Sequence, residues 1–197
     1  MDGFSAQWGF SLADIGANTL GIGIFAAQQK WLGKQVISIK ESVWPVNHNN
    51  QTYAALEEPS QSITLNKRAE QLFGTSLAEQ LLKDYNAQTY WASFNINALL
   101  SDGNKWPSWL NIALGYSAKN MYGGFENKWT NNGLSFDATD KDRYRQYFLA
   151  LDLNLPGIKT QNPTLRTILN VLNIFKTPSP AIEFNSRKEI HFHLVYY

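Results

Sequence analysis

Strict alternation of apolar and polar residues over long segments constrains this chain more than anything else in it. In Leu110-Asn111-Ile112-Ala113-Leu114-Gly115-Tyr116-Ser117 the large apolar residues take every second position, with small or polar residues between them. A strand sends successive side chains to opposite faces, so this segment separates a greasy face from a small, polar one. Residues 90–100, 147–155 and 190–196 divide in the same way. In the last of these, Ile190, Phe192, Leu194 and Tyr196 share one face, while His191 and His193 share the other with Tyr197. Strands of about ten residues with this pattern suit a membrane-facing β-barrel. They also suit a soluble barrel or sandwich whose apolar face points inward.

With 197 residues the chain can bury a sizeable core as a single domain, 1–197. A net charge of +1 gives no electrostatic case for nucleic acid. Cysteine is absent, which excludes disulfides and thiolate metal sites. Aromatic residues, at 14%, are plentiful enough for interfacial girdles or for an ordinary aromatic core. Asp2 stands where the basic start of a signal peptide would be, so an exported form is expected to carry its targeting segment upstream. The apolar stretch 15–27 is short for a membrane span and is interrupted by Asn18.

Ser11-Leu12-Ala13-Asp14 predicts a helix start, and the helix runs to about Trp31 with Gly16, Ala17, Gly21 and Gly23 giving it a small-residue face. This makes 1–33 a helical N-terminal segment and 34–197 an antiparallel, β-rich part. Residues 35–44 read as a strand and 45–62 as a long loop. Ser76-Leu77-Ala78-Glu79 is a capping box opening a helix near 76–84. Strands follow over 88–100 and from Trp109, joined by the turn signal Ser101-Asp102-Gly103-Asn104. Residues 119–141 read as a large polar loop and 143–155 as a strand. Asn162-Pro163 opens a helix over 163–176, and 188–197 reads as a terminal strand. The expected fold is α+β: an antiparallel, barrel-like sheet with an N-terminal small-residue helix and helical insertions.

Several patches resemble the YfiM-like family of bacterial envelope lipoproteins. They are Asp2-Gly3-Phe4-Ser5, Trp8-Gly9-Phe10-Ser11, then Asp14, Asn18 and Gly21. Leu82-Lys83-Asp84-Tyr85-Asn86 with Gln88-Thr89-Tyr90-Trp91 looks like the longer form of Gram-negative, Bacteroidota-type members. Trp106-Pro107-Ser108-Trp109-Leu110, Gly115-Tyr116, Arg145-Gln146-Tyr147 and Glu183-Phe184-Asn185 extend the likeness in patches over most of the chain. The resemblance implies an Asp-Lys-x-x-His helix upstream of this chain, whose polar residues would face Asp14 and Asn18. It further implies an envelope location, in the outer membrane or periplasm, and no defined chemistry.

Among candidate site residues, Asp14 and Asn18 lie four apart on one helix face and form a polar pair that serves either binding with Asp2 or Ser5, or capping and interhelical bonding. His191 and His193, two apart on a strand, have a spacing that can hold a metal only with a third ligand from elsewhere, and a polar strand face explains them as well. Asp137, Asp140 and Asp142 cluster in a loop without the EF-hand pattern. Trp106, Trp109, Tyr116 and Trp129 fit a core and girdle better than a carbohydrate platform. Gly21-Ile22-Gly23 lies within a helix pattern, and no phosphate loop, nucleophile elbow or zinc-protease helix is present.

The leading expectation is a non-enzymatic, outer-membrane-associated envelope protein, with membrane lipid or envelope proteins as partners and with no cofactor, metal or nucleic acid. One alternative is a small envelope lipid hydrolase with His191 or His193 as base near Ser117 or Ser93. Another is a soluble lipid carrier with an apolar cavity.

Overall fold

The computed structural model describes residues 12–100 and 103–197, with the side chains of residues 12–14, 17 and 18 excepted. Helix α1 (Leu12–Ala27) continues into a wider turn, Gln28–Leu32, and stops at Gly33, whose φ of 62° is the left-handed conformation glycine adopts without strain. Gln28 pins that end: its side-chain oxygen accepts from the Val36 and Ile37 amides. No described helix is long and apolar enough to cross a membrane, which says nothing about crossing by strands.

The chain then runs through β1 (Ile37–Val43), β2 (Thr52–Ala54), β3 (Ser62–Thr64), α2 (Leu65–Phe73), α3 (Leu77–Lys83), β4 (Gln88–Phe94) and α4 (Ile96–Leu99). It continues through β5 (Leu110–Lys119), β6 (Lys128–Asn131), β7 (Leu134–Asp137), β8 (Tyr144–Leu153), α5 (Pro163–Leu172), β9 (Ser179–Asn185) and β10 (Ile190–Tyr196). Six strands form one antiparallel sheet in the order β1-β4-β5-β8-β9-β10. Each neighbour is the next sheet strand along the chain, so the insertions all leave from strand ends.

The sheet has two edges, β1 and β10. They approach at one point, where the rings of Trp44 and Tyr197 stack with centroids 4.5 Å apart. Below that point the segment leaving α5 lies along β1: Glu41 N–H donates to the Ile174 carbonyl, and Lys176 N–H to the Glu41 carbonyl. The helix expected over 163–176 therefore ends at Leu172, because residues 174–176 satisfy the edge of β1 instead.

Along β5 and β8, ten residues each, burial alternates strictly. The buried face is the small and polar one: Asn111, Ala113, Gly115 and Ser117 on β5; Gln146, Phe148, Ala150 and Asp152 on β8. The exposed face carries Leu114, Tyr116, Tyr147, Leu149 and Leu151, with Leu114 at 51%. Ile182, Phe184 and Phe192 extend this apolar surface across β9 and β10. The polarity of the sheet is thus the reverse of a water-soluble sandwich.

The inner face packs around Trp91, whose ring meets Phe148 and Tyr196 with centroids 5.6 and 6.0 Å away. Tyr196 is a correction to the alternation expected for 190–196. The register shifts between His193 and Tyr196, and this irregularity turns Tyr196 inward, 4.3 Å from the Phe148 ring. Gly115 lies beneath Trp91. A Cβ there would stand 2.6 Å from two carbons of the indole. Gly115→Ala is expected to displace Trp91 and lower unfolding stability by about 1–3 kcal/mol, read from the urea midpoint.

The stretches 45–62 and 119–141, read from sequence as loops, hold β2, the first residue of β3, and β6 and β7, and these strands together with α2 form a second lobe with its own core. That core holds Tyr53, Leu65, Phe73, Tyr122, Trp129 and Phe136. Leu56 N–H donates to the Ser135 carbonyl and joins the two hairpins. The β6–β7 turn is Asn132-Gly133, both at positive φ. The strand expected over 88–100 ends at Phe94, since Asn95 caps α4 by accepting from the Ala98 amide. The capping box at Ser76 and Glu79 is present as expected, opening α3. The turn residues Ser101 and Asp102 and the cap Ser11 lie outside the described residues.

Candidate functional site

Two buried polar groups line the inner face and a third lies beyond the strand ends, each assembled from distant parts of the chain. The deepest joins β1 to β8. Lys40 Nζ stands 2.7 Å from Asp152 Oδ2, and neither side chain is exposed at all (0% and 0%). Lys40 also donates to the Leu153 carbonyl and to Asn173 Oδ1, each at 2.8 Å. Asp152 accepts from Ser93 Oγ at 2.6 Å and from the amide and hydroxyl of Thr177. Asn111 donates to Ser93, and its own carbonyl oxygen is buried without a partner. Burial lowers the Lys40 pKa, and the hydrogen bond and charge of Asp152 oppose that fall.

Lys176 is the second cation in this interior. Its ammonium donates to the Thr177 carbonyl and Ser179 Oγ and lies 4.5 Å from the centre of the Trp91 ring. Burial pushes its pKa down to about 8. Between that value and the unfolded value of 10.5 the unfolded chain binds more protons, so stability rises with pH across this window. Lys176→Met is expected to raise stability at pH 7 by on the order of 2 kcal/mol, allowing for partial solvent screening, and to flatten the rise from pH 8 to pH 9.5. Urea unfolding at three pH values reads both effects.

At the other end of the strands a cavity of about 280 Å³ opens between the tips of β1 and β10. His193 Nε2 meets Glu183 Oε2 at 2.8 Å inside it, and Gln146 donates to Glu183 Oε1 at 2.7 Å. Burial raises the Glu183 carboxyl, but bonds from Gln146, His193 and Asn185 outweigh it and hold its pKa below the ordinary value. Thr89 Oγ and the Tyr196 hydroxyl are 3.3 Å apart on the same wall. Burial pushes the Tyr196 phenol up to about 12. Lys119 completes the wall, its ammonium bonded to the Asn86 carbonyl and its pKa lowered by burial.

The third group ties this end to the second lobe. His48 Nε2 is 2.8 Å from Asp84 Oδ2, and its Nδ1 is 3.1 Å from the Tyr122 hydroxyl. Asp84 Oδ1 accepts from the backbone and side-chain nitrogens of Asn86, and Asn86 in turn bonds both backbone groups of Met121.

Of the residues singled out from sequence, His193 enters the cavity while His191 is half exposed beside Glu189, 3.4 Å away. Ser117 Oγ donates to the Gln88 carbonyl, and Ser93 Oγ donates to Asp152. His193 bonds Glu183, and both serines are engaged elsewhere. The side chains of Asp14 and Asn18, and all of Asp2 and Ser5, lie outside the described residues.

Asp137, Asp140 and Asp142 do not converge: Asp137 bonds Thr139, Asp140 accepts from Gln51 and Tyr53, and Asp142 pairs with Arg187. Among the described residues no group of three histidine or acidic side chains is placed to hold a metal ion. Trp129 is core, in the second lobe; Trp109 and Tyr116 face outward; Trp106 donates to the Leu110 carbonyl.

Sequence reasoning did not single out Lys40, Asp152, Lys176, Glu183 or Gln146. For Lys40, Asp152, Glu183 and Gln146 the available signal was a charged or amide residue on a strand face; Lys176, between α5 and β9, carried none. Comparison with protein-family models, curated proteins and solved structures returns no match to this chain.

Proposed function

We propose that this chain is a non-enzymatic cell-envelope protein whose curved, barrel-like sheet sits in the outer membrane with its apolar face against lipid. One observation carries the reading: the buried face of β5 and β8 mixes polar with mostly small residues, and the exposed face carries their large apolar side chains. A water-soluble sheet gains its stability by the opposite arrangement. Soluble monomers rarely leave a broad contiguous apolar surface uncovered, whereas lipid is a fitting solvent for one. The two central strands, β5 and β8, have the ten residues needed to cross a bilayer at a tilt, while β1, β4, β9 and β10 have seven each.

The polar interior supports the same reading over the carrier. A lipid carrier needs an apolar lining, and Lys40, Asp152, Asn111, Gln146 and Glu183 occupy the inner face here. The second lobe then stands at one end of the sheet, in the aqueous phase. The YfiM-like resemblance, itself a proposal, points to the same compartment. Carbonate extraction and heat-dependent gel mobility of the protein in its native membranes test the function. Retention in the outer-membrane fraction with a mobility shift is expected. Release by carbonate without a shift contradicts it.

A further inference from the structure

A cavity of about 650 Å³ belongs to the second lobe and plays no part in the sheet. Its volume is in the range of small-molecule sites. Arg68 of α2 lines it together with Gln71, Phe73, Met121, Gly124 and Asn131. The guanidinium is held rigid. Its Nε donates to the Tyr122 carbonyl at 3.1 Å, and its centre lies 4.8 Å from the middle of the Trp129 ring. Those contacts leave the two terminal nitrogens of the fork for another acceptor.

Among the described residues Arg68 has no ion-pair partner, and the neighbouring carboxylates are engaged: Glu70 with Lys67, Glu126 and Asp137 with Lys128. Burial lowers its pKa to about 10, so it stays charged at neutral pH while bearing a desolvation cost that no carboxylate offsets. A second cation stands behind the same wall. Arg143 donates from Nη2 to the Gly124 carbonyl, and its Nη1 is buried without a partner.

We infer that this cavity is a binding site for a small oxyanion, a carboxylate or phosphate group on a compact apolar body, received by the Arg68 fork. A planar fork meets two oxygens of such a group at once, which a lysine does not do. Gln71 and Asn131 offer amides to the rest of the ligand, and Phe73 and Met121 offer apolar contact.

The test titrates the purified full chain with hexyl phosphate, hexanoate and inorganic phosphate. Calorimetry and the indole N–H resonance of Trp129 report binding. Saturable binding that moves the Trp129 and Gly124 resonances is expected, with at least tenfold weaker affinity in Arg68→Lys. Arg166→Gln, an exposed arginine of α5, is expected to bind like the parent. Equal affinity in Arg68→Lys, or no saturable binding of any of the three probes, overturns the inference. Should Arg68→Lys fold poorly, the resonance map of the parent chain decides alone, and shifts confined to residues outside the cavity overturn it. Vesicles of phosphatidylglycerol against phosphatidylcholine identify the source. Arg68-dependent preference for the anionic vesicle assigns the phosphate to a lipid headgroup, and its absence alongside hexyl phosphate binding assigns it to a free small molecule.

Discussion

Asp152→Ala is expected to destabilise the protein by about 3–5 kcal/mol, enough to abolish folding of a marginally stable sheet. The loss is larger than that of one ion pair because Lys40 is left charged in a site from which its side chain has no exposure to water. Ser93 Oγ and both Thr177 donors lose their acceptor in the same step. The partner variant separates these terms. Lys40→Met/Asp152→Asn removes both charges, keeps one amide oxygen for the two Thr177 donors and turns an NH2 toward the Ser93 hydroxyl, which can accept as well as donate, so it is expected to recover most of the stability. Urea midpoints of the single and double variants, followed by tryptophan fluorescence, measure the difference. A double variant as unstable as Asp152→Ala would mean that packing rather than unpaired charge causes the loss.

The second large effect is expected on the opposite face. Leu149 lies mid-strand on β8, paired with Leu114 on one side and Ile182 on the other. All three are exposed. In a bilayer Leu149→Arg is expected to cost about 2–4 kcal/mol, the price of an arginine near the midplane. A surface substitution in water typically changes stability by less than about 0.5 kcal/mol. Phe125→Arg is the matched control, since Phe125 is fully exposed in the second lobe. Unfolding in lipid vesicles is expected to separate the two variants, and equal midpoints would contradict a lipid-facing Leu149.

The sheet was legible because period-two alternation in Leu110–Ser117 and 147–153 survives folding residue by residue; the strand expected to reach 155 stops at Leu153, before a helical turn at Leu155–Gly157. Alternation alone does not say which face is buried. That answer came from Gly115 beneath Trp91 and Asp152 against Lys40, pairs of residues on different strands. The second lobe was missed although Asn132-Gly133 is a strong hairpin signal, because its strands are short and flanked by polar residues that read as loop. Glu183 and His193 are brought together by the β9–β10 hairpin, so strand pairing rather than motif spacing makes the contact. His48 reaches Asp84 across α2 and α3, and no local pattern announces it.

The proposed function requires lipid over the outer face of the sheet. The chain contains no cysteine, so single cysteines at Leu114, Leu149 and Ile182 can each carry one nitroxide label without any background. Accessibility to oxygen against a water-soluble nickel chelate, measured in lipid vesicles, reports what touches each label. High oxygen and low nickel accessibility at all three positions is the predicted result. Free access of nickel would mean water on this face, and low access to both reagents would mean protein; either contradicts the account.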